Sequence, residues 1–122
     1  MYYKIVTQNL TSAVVTQEME VQYIINEFVR APEWLEALGF GPVVFDRLDY
    51  ALRYKSEQEQ SIGRYRLFEC LVSGPRKPEY FLCSTVMHEF IAEYKKKVYY
   101  PASHWPQGTI MCDAVMLTNE IL

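Results

Sequence analysis

The sequence predicts an α+β domain in which a curved, mixed, mainly antiparallel sheet of five or six strands carries two helices packed on it. Three observations lead there. Residues 39 to 74 hold a buried-type strand (Pro42 to Phe45), a capped helix (Asp46 to Glu59) and an alternating strand (Arg64 to Ser73), with glycines at both ends. A second amphipathic helical stripe lies further along the chain. Strands and helices do not alternate regularly, as a doubly wound parallel sheet requires. The 122 residues suit one domain spanning 1–122, and half of them are hydrophobic, enough for a core that folds alone.

The first strand is expected at Tyr2 to Thr7. A second is expected at Val21 to Arg30, where Val21, Tyr23 and Ile25 alternate with other apolar residues, so that both faces are partly covered. Pro32 to Leu38 reads as one or two helical turns, with proline near the start and Gly39 beyond the end. After Phe45, Asp46 is placed to accept hydrogen bonds from the first-turn N–H groups, and Asp49 takes the reciprocal box position. Leu48, Ala51, Leu52 and Tyr54 form the apolar side of that helix, and Asp49 and Arg53 an i,i+4 pair.

In the next strand Tyr65, Leu67, Glu69 and Leu71 share one face, and Arg66, Phe68, Cys70 and Val72 the other. The second helix is expected over Thr85 to Lys97. Met87, Phe90, Ile91, Tyr94 and Val98 make its buried stripe, and Lys95 to Lys97 complement its negative end. Thr109 to Leu117 reads as one strand, apolar on both sides and therefore central in the sheet or beneath a helix.

No apolar run approaches the ~18 residues that cross a bilayer, and the N-terminal residues Met1 to Val6 carry no basic region followed by an apolar block. A cytoplasmic protein with no membrane contact is the expectation. Three cysteines, Cys70, Cys83 and Cys112, make an odd set without a CxxC, which suits reduced thiols, and Cys70 and Cys112 fall inside apolar strands. The net charge of −3 argues against nucleic acid as a partner. Residues 61 to 104 are nevertheless locally basic, with seven Lys/Arg against four Asp/Glu.

Several constellations have both a chemical and a structural reading. Cys83, His88, His104 and Cys112 make up a zinc-type ligand set, but their spacings fit no common zinc motif, so no metal and no cofactor is implied. His104-Trp105 in a proline-flanked loop is either a lid over the core or a ligand-stacking surface. Lys95-Lys96-Lys97-Val98-Tyr99-Tyr100 suits phosphates and bases, or a solvated helix end. Glu69 on a largely apolar face needs a cation if it is buried, and Arg64, Arg66 and Lys4 are the available partners.

Gly41-Pro42-Val43-Val44-Phe45, then Leu48 to Tyr54, then Leu67 to Gly74 give a glycine turn, a strand ending in an aromatic, a helix with a late Tyr and a charged-apolar strand ending in Gly. This order resembles the middle of ADP-ribosyltransferase-like half-barrels, including the catalytic domain of poly(ADP-ribose) polymerases, over about a third of the chain. The resemblance implies a curved sheet and, in an enzyme, NAD chemistry with Lys4, Tyr65, Glu69 and Asp113 as the catalytic candidates. The chain departs from the family pattern: the first strand offers Lys4 in place of a His or Arg, and the late strand offers Asp113 where the family has Glu.

No glycine-rich phosphate loop, nucleophile elbow or acid-base pair accompanies these elements. The leading expectation is therefore a non-catalytic binding or protein-interaction module. An NAD-using enzyme, and phosphate or nucleic-acid binding through the basic middle region, are the alternatives. Candidate ligand-binding residues are His104, Trp105, Arg64 and Arg66, and the partner is a protein or a small molecule. The ten tyrosines and an unpaired sheet edge are compatible with a homodimer. Any pocket is expected on the side of the sheet away from the helices, with Tyr65, Glu69 and His104-Trp105 at its rim, and in a non-catalytic module it is expected to be shallow and filled by the protein's own aromatics.

Overall fold

A computed structural model describes residues 1–13, 19–60, 63–82 and 86–121. Six strands form the main sheet: β1 (Tyr2–Val6), β2 (Phe28–Arg30), β3 (Val43–Phe45), β4 (Arg66–Ser73), β7 (Thr109–Met111) and β8 (Ala114–Ile121). Their order is β2-β8-β4-β1-β3-β7, and the expected mainly antiparallel sheet is antiparallel at every pairing among the described residues. A separate ribbon pairs β5 (Tyr80–Phe81) with β6 (Tyr100–Pro101), two short strands not read from the sequence. The helices are α1 (Glu33–Ala37), α2 (Leu48–Glu59) and α3 (Met87–Lys95), and none is long and apolar enough to cross a membrane.

The register of β1 on β4, from Tyr2↔Cys70 to Val6↔Arg66, decides which residues share a face. Lys4 and Val6 lie on the side of Phe68 and Cys70; Tyr3 and Ile5 lie on the side of Leu67 and Glu69. Helix α2 covers the second side. Ala51 is fully buried there, packed with Ile5, Phe45, Tyr65 and Leu67. On the first side Phe68, Cys70, Cys112, Val115 and Leu117 form the central core, closed by Val21 and Tyr23. Each large side chain removed from water in this way contributes about 1.5–3 kcal/mol. A third cluster gathers at the β3–β7 edge, where Leu35 of α1, Phe90 of α3, Phe40 and Leu82 pack on Met111.

Several elements differ from their sequence expectation. Val21 to Arg30 is not one strand: Phe28–Arg30 pairs with β8 while Gln22 makes an isolated bridge to Thr11, and between them Asn26 adopts φ +68° and Glu27 N–H turns back to the Ile24 carbonyl. Asn tolerates that left-handed conformation better than most residues. The turn buries Val21 and Tyr23 but leaves Ile24 and Ile25 outside.

Thr109 to Leu117 divides into β7 and β8 at a corner made by Cys112 and Asp113. Cys112 N–H donates to the Pro42 carbonyl and Asp113 N–H to the Ser73 carbonyl, so the chain changes partners within two residues. Strands so close in sequence occupy the sixth and second places of the sheet, which requires strong curvature. Arg76 pairs with Met111 through two 2.8 Å main-chain hydrogen bonds and holds that curl. Further along, β8 bulges where Thr118 and Asn119 oppose Glu69, which bends that strand.

The α2 cap also differs. Arg47 is the N-cap residue and no side chain caps the turn. The Asp46 main chain donates instead to the Gly108 carbonyl at 3.0 Å, tying the helix entrance to the loop before β7. Asp49 accepts from Tyr50 N–H and pairs with Arg47 rather than Arg53, and Leu52 is exposed. In α3, Phe90 is buried as expected, but Lys97 turns to φ +55° and Val98 leaves the stripe. The expected start of that helix at Thr85 lies outside the described residues.

Candidate functional site

Lys4 is the only buried charged residue among those described, at 7% exposure. Its position follows from strand geometry: β1 and β3 are in register at a single pair, Tyr3↔Phe45. Beyond that pair the Lys4 ammonium, rather than a main-chain N–H, donates to the Val43 carbonyl at 2.7 Å. On its other side the ammonium lies 5.4 Å from the centroid of the Tyr23 ring.

Lys4 forms part of the wall of a cavity of about 400 Å³. That is within the range of about 300–1,000 Å³ typical of small-molecule pockets. The remaining wall is mostly apolar and aromatic: Phe40, Phe90, Leu82, Met111 and Trp105 contribute, with Gly41 at the backbone. Gly41 is needed at that point because a Cβ would run into the Cys112 carbonyl. Trp105 is fixed by its indole N–H, which donates to the Tyr80 carbonyl at 3.0 Å, and by an edge contact with Phe81 at 4.9 Å. His104 is exposed, faces the rings of Phe81 and Tyr100, and contributes to the same wall. Sequence reasoning thus named Lys4, His104 and Trp105, and the cavity brings all three to one wall.

The other named residues lie elsewhere. Tyr65 is buried on the α2 side of the sheet, and its main-chain N–H donates to Glu59. Glu69 faces that same side, half-buried and in register with Tyr3, so it points away from Lys4. The ion pair expected for Glu69 does not form among the described residues: Arg66 binds Glu120 at 2.8 Å and Arg64 is exposed. Asp113 pairs with Arg76 at 2.9 Å at the β7–β8 corner. Lys4, Tyr65, Glu69 and Asp113 therefore do not converge. Leu35 of α1 and Phe90 of α3 line the cavity, so it does not lie on a helix-free side; Tyr65 and Glu69 do not line it, and at about 400 Å³ it is not the shallow, aromatic-filled pocket expected.

The two described thiols are poor nucleophiles. Burial pushes Cys70 up to about 12 and Cys112 up to about 11, and the nearby Lys4 charge only partly offsets this. Cys112 Sγ donates weakly to the Pro42 carbonyl at 3.3 Å. Among the described residues no three His, Cys, Asp or Glu side chains gather as a metal site, and Cys83 lies outside them. The basic run is also occupied in part by packing, with Tyr99 stacked on Tyr80 at 4.3 Å while Lys95 to Lys97 stay exposed.

The signal for this site was present in β1. Tyr2, Lys4 and Val6 share one strand face, and a charged residue in the middle of an apolar strand face is unusual. The rest of the wall comes from many separate segments, from Ser12 to Met111, which no spacing in the sequence connects. Compared with known proteins, the chain matches no family model, no curated protein and no solved structure.

Proposed function

We propose that the domain is a non-catalytic binding module that takes up a small, largely apolar molecule in the cavity beside Lys4. The observation that carries this reading is the cavity of about 400 Å³, walled by aromatic and aliphatic side chains. Its titratable wall residues among those described are Lys4, His104, Tyr23 and Tyr54, with no carboxylate to share proton transfer. Neither Cys70 nor Cys112 lines the cavity, and burial pushes both thiols up, so they supply no reactive thiolate to it.

The test uses a neutral apolar fluorophore, N-phenyl-1-naphthylamine, with the intact chain. Saturable fluorescence enhancement, quenching of tryptophan emission and a raised melting temperature are expected. A ligand present at a hundredfold excess over its dissociation constant stabilises the fold by about 2.7 kcal/mol. No enhancement and no thermal shift across the soluble range would overturn the proposal.

A further inference from the structure

We infer that Lys4 is an anchor for the anionic head of the bound molecule, so that the cavity selects apolar carboxylates over neutral compounds of the same skeleton. This inference rests on the reading of the cavity as a binding site. An ammonium has three N–H donors. One reaches the Val43 carbonyl, and the Tyr23 ring faces the group at 5.4 Å. None of the five ion pairs among the described residues includes Lys4, and no described wall residue is a carboxylate. A charge withdrawn from water without a counter-charge is costly, and a carboxylate supplied by the ligand relieves that cost.

The chemistry of the wall narrows the class. A carboxylate places one negative charge against one ammonium and leaves the cavity neutral. A phosphate monoester would bring up to two charges, and the described wall holds neither an arginine nor a glycine-rich nest to receive the second. The tail of the ligand then lies along Phe40, Phe90, Met111 and Trp105. With a net charge of −3 on the whole chain, attraction for an anion must come from Lys4 locally and not from the overall field.

Decanoate and decan-1-ol, titrated calorimetrically into the intact protein, provide the test. Decanoate should bind about tenfold or more tightly, the size expected of one charge-assisted hydrogen bond. In Lys4→Met that preference should vanish while the alcohol still binds. As a readout that needs no variant, decanoate but not decanol should shift the Lys4 Cε resonance in protein with labelled lysine. Equal binding of the two compounds, an unmoved Lys4 resonance, or a preference that survives Lys4→Met overturns the anchor and leaves the cavity reading standing. Binding of neither compound, together with no uptake of the neutral fluorophore, removes both.

Discussion

The ammonium of Lys4 in β1 stands 5.4 Å from the centroid of the Tyr23 ring, and both side chains are more than nine-tenths buried. This contact joins the first strand to the segment that leads into β2, and it sets an electron-rich face against a charge that no described carboxylate neutralises. Tyr23→Phe keeps the ring face, whereas Tyr23→Leu removes it. In urea denaturation the leucine variant should be less stable than the phenylalanine variant by about 2 kcal/mol, from lost packing and lost cation–π attraction. Equal stabilities would show that the ring does not support the charge.

Gly41 tests the corner that curves the sheet. Its backbone needs no left-handed conformation, so the constraint is space: a Cβ would meet the Cys112 carbonyl. Gly41→Ala should therefore cost about 1–3 kcal/mol through forced displacement of backbone. A melting temperature equal to that of the unsubstituted protein would mean that the Cys112 corner yields freely.

The acid limb of stability should depend on Glu59. Its carboxyl is held below the ordinary value of 4.5, first by the hydrogen bond from Tyr65 N–H and then by Lys55. A carboxylate lowered on folding contributes stability that is present above the unfolded value and lost as pH falls through the folded one. Thermal melts across that interval should show a shallower acid loss in Glu59→Gln than in the unsubstituted protein. Parallel curves would remove Glu59 from the account.

Thiol reactivity provides an independent check on the core. In a Cys83→Ser variant, Cys70 and Cys112 should resist Ellman's reagent at mildly alkaline pH while the protein is folded. Both are fully buried, and burial pushes Cys70 up to about 12 and Cys112 up to about 11. Both should react promptly in guanidinium chloride. Fast labelling of the native variant would show that the core around Lys4 opens readily.

Much of the fold was legible because it depends on short-range pattern. The apolar face of α2 around Ala51, the alternation of β4 and the buried Phe90 of α3 all follow from side-chain periodicity. Terminal details were less legible. Asp46 has the right chemistry for a cap, but its main chain is drawn to Gly108, a residue far away in sequence. Thr109 to Leu117 is apolar apart from Thr109 and Asp113, and one acidic residue does not by itself mark a corner; the one at Cys112 exists because Pro42 and Ser73 offer carbonyls there.

The sequence by itself determined that this chain forms one α+β core, that Cys70 and Cys112 are buried in it, and that a lysine sits among the apolar residues of the first strand. Those properties follow from composition and from periods of two and 3.6 residues, which act over neighbours in the chain. Only the tertiary structure decided that β1 and β3 share a single register pair, that the Lys4 ammonium turns to Val43 and Tyr23, and that Phe40, Phe90, Met111 and Trp105 surround the space beside it. A cavity is a property of surfaces brought together from distant segments, and its shape depends on register and curvature that no local period encodes.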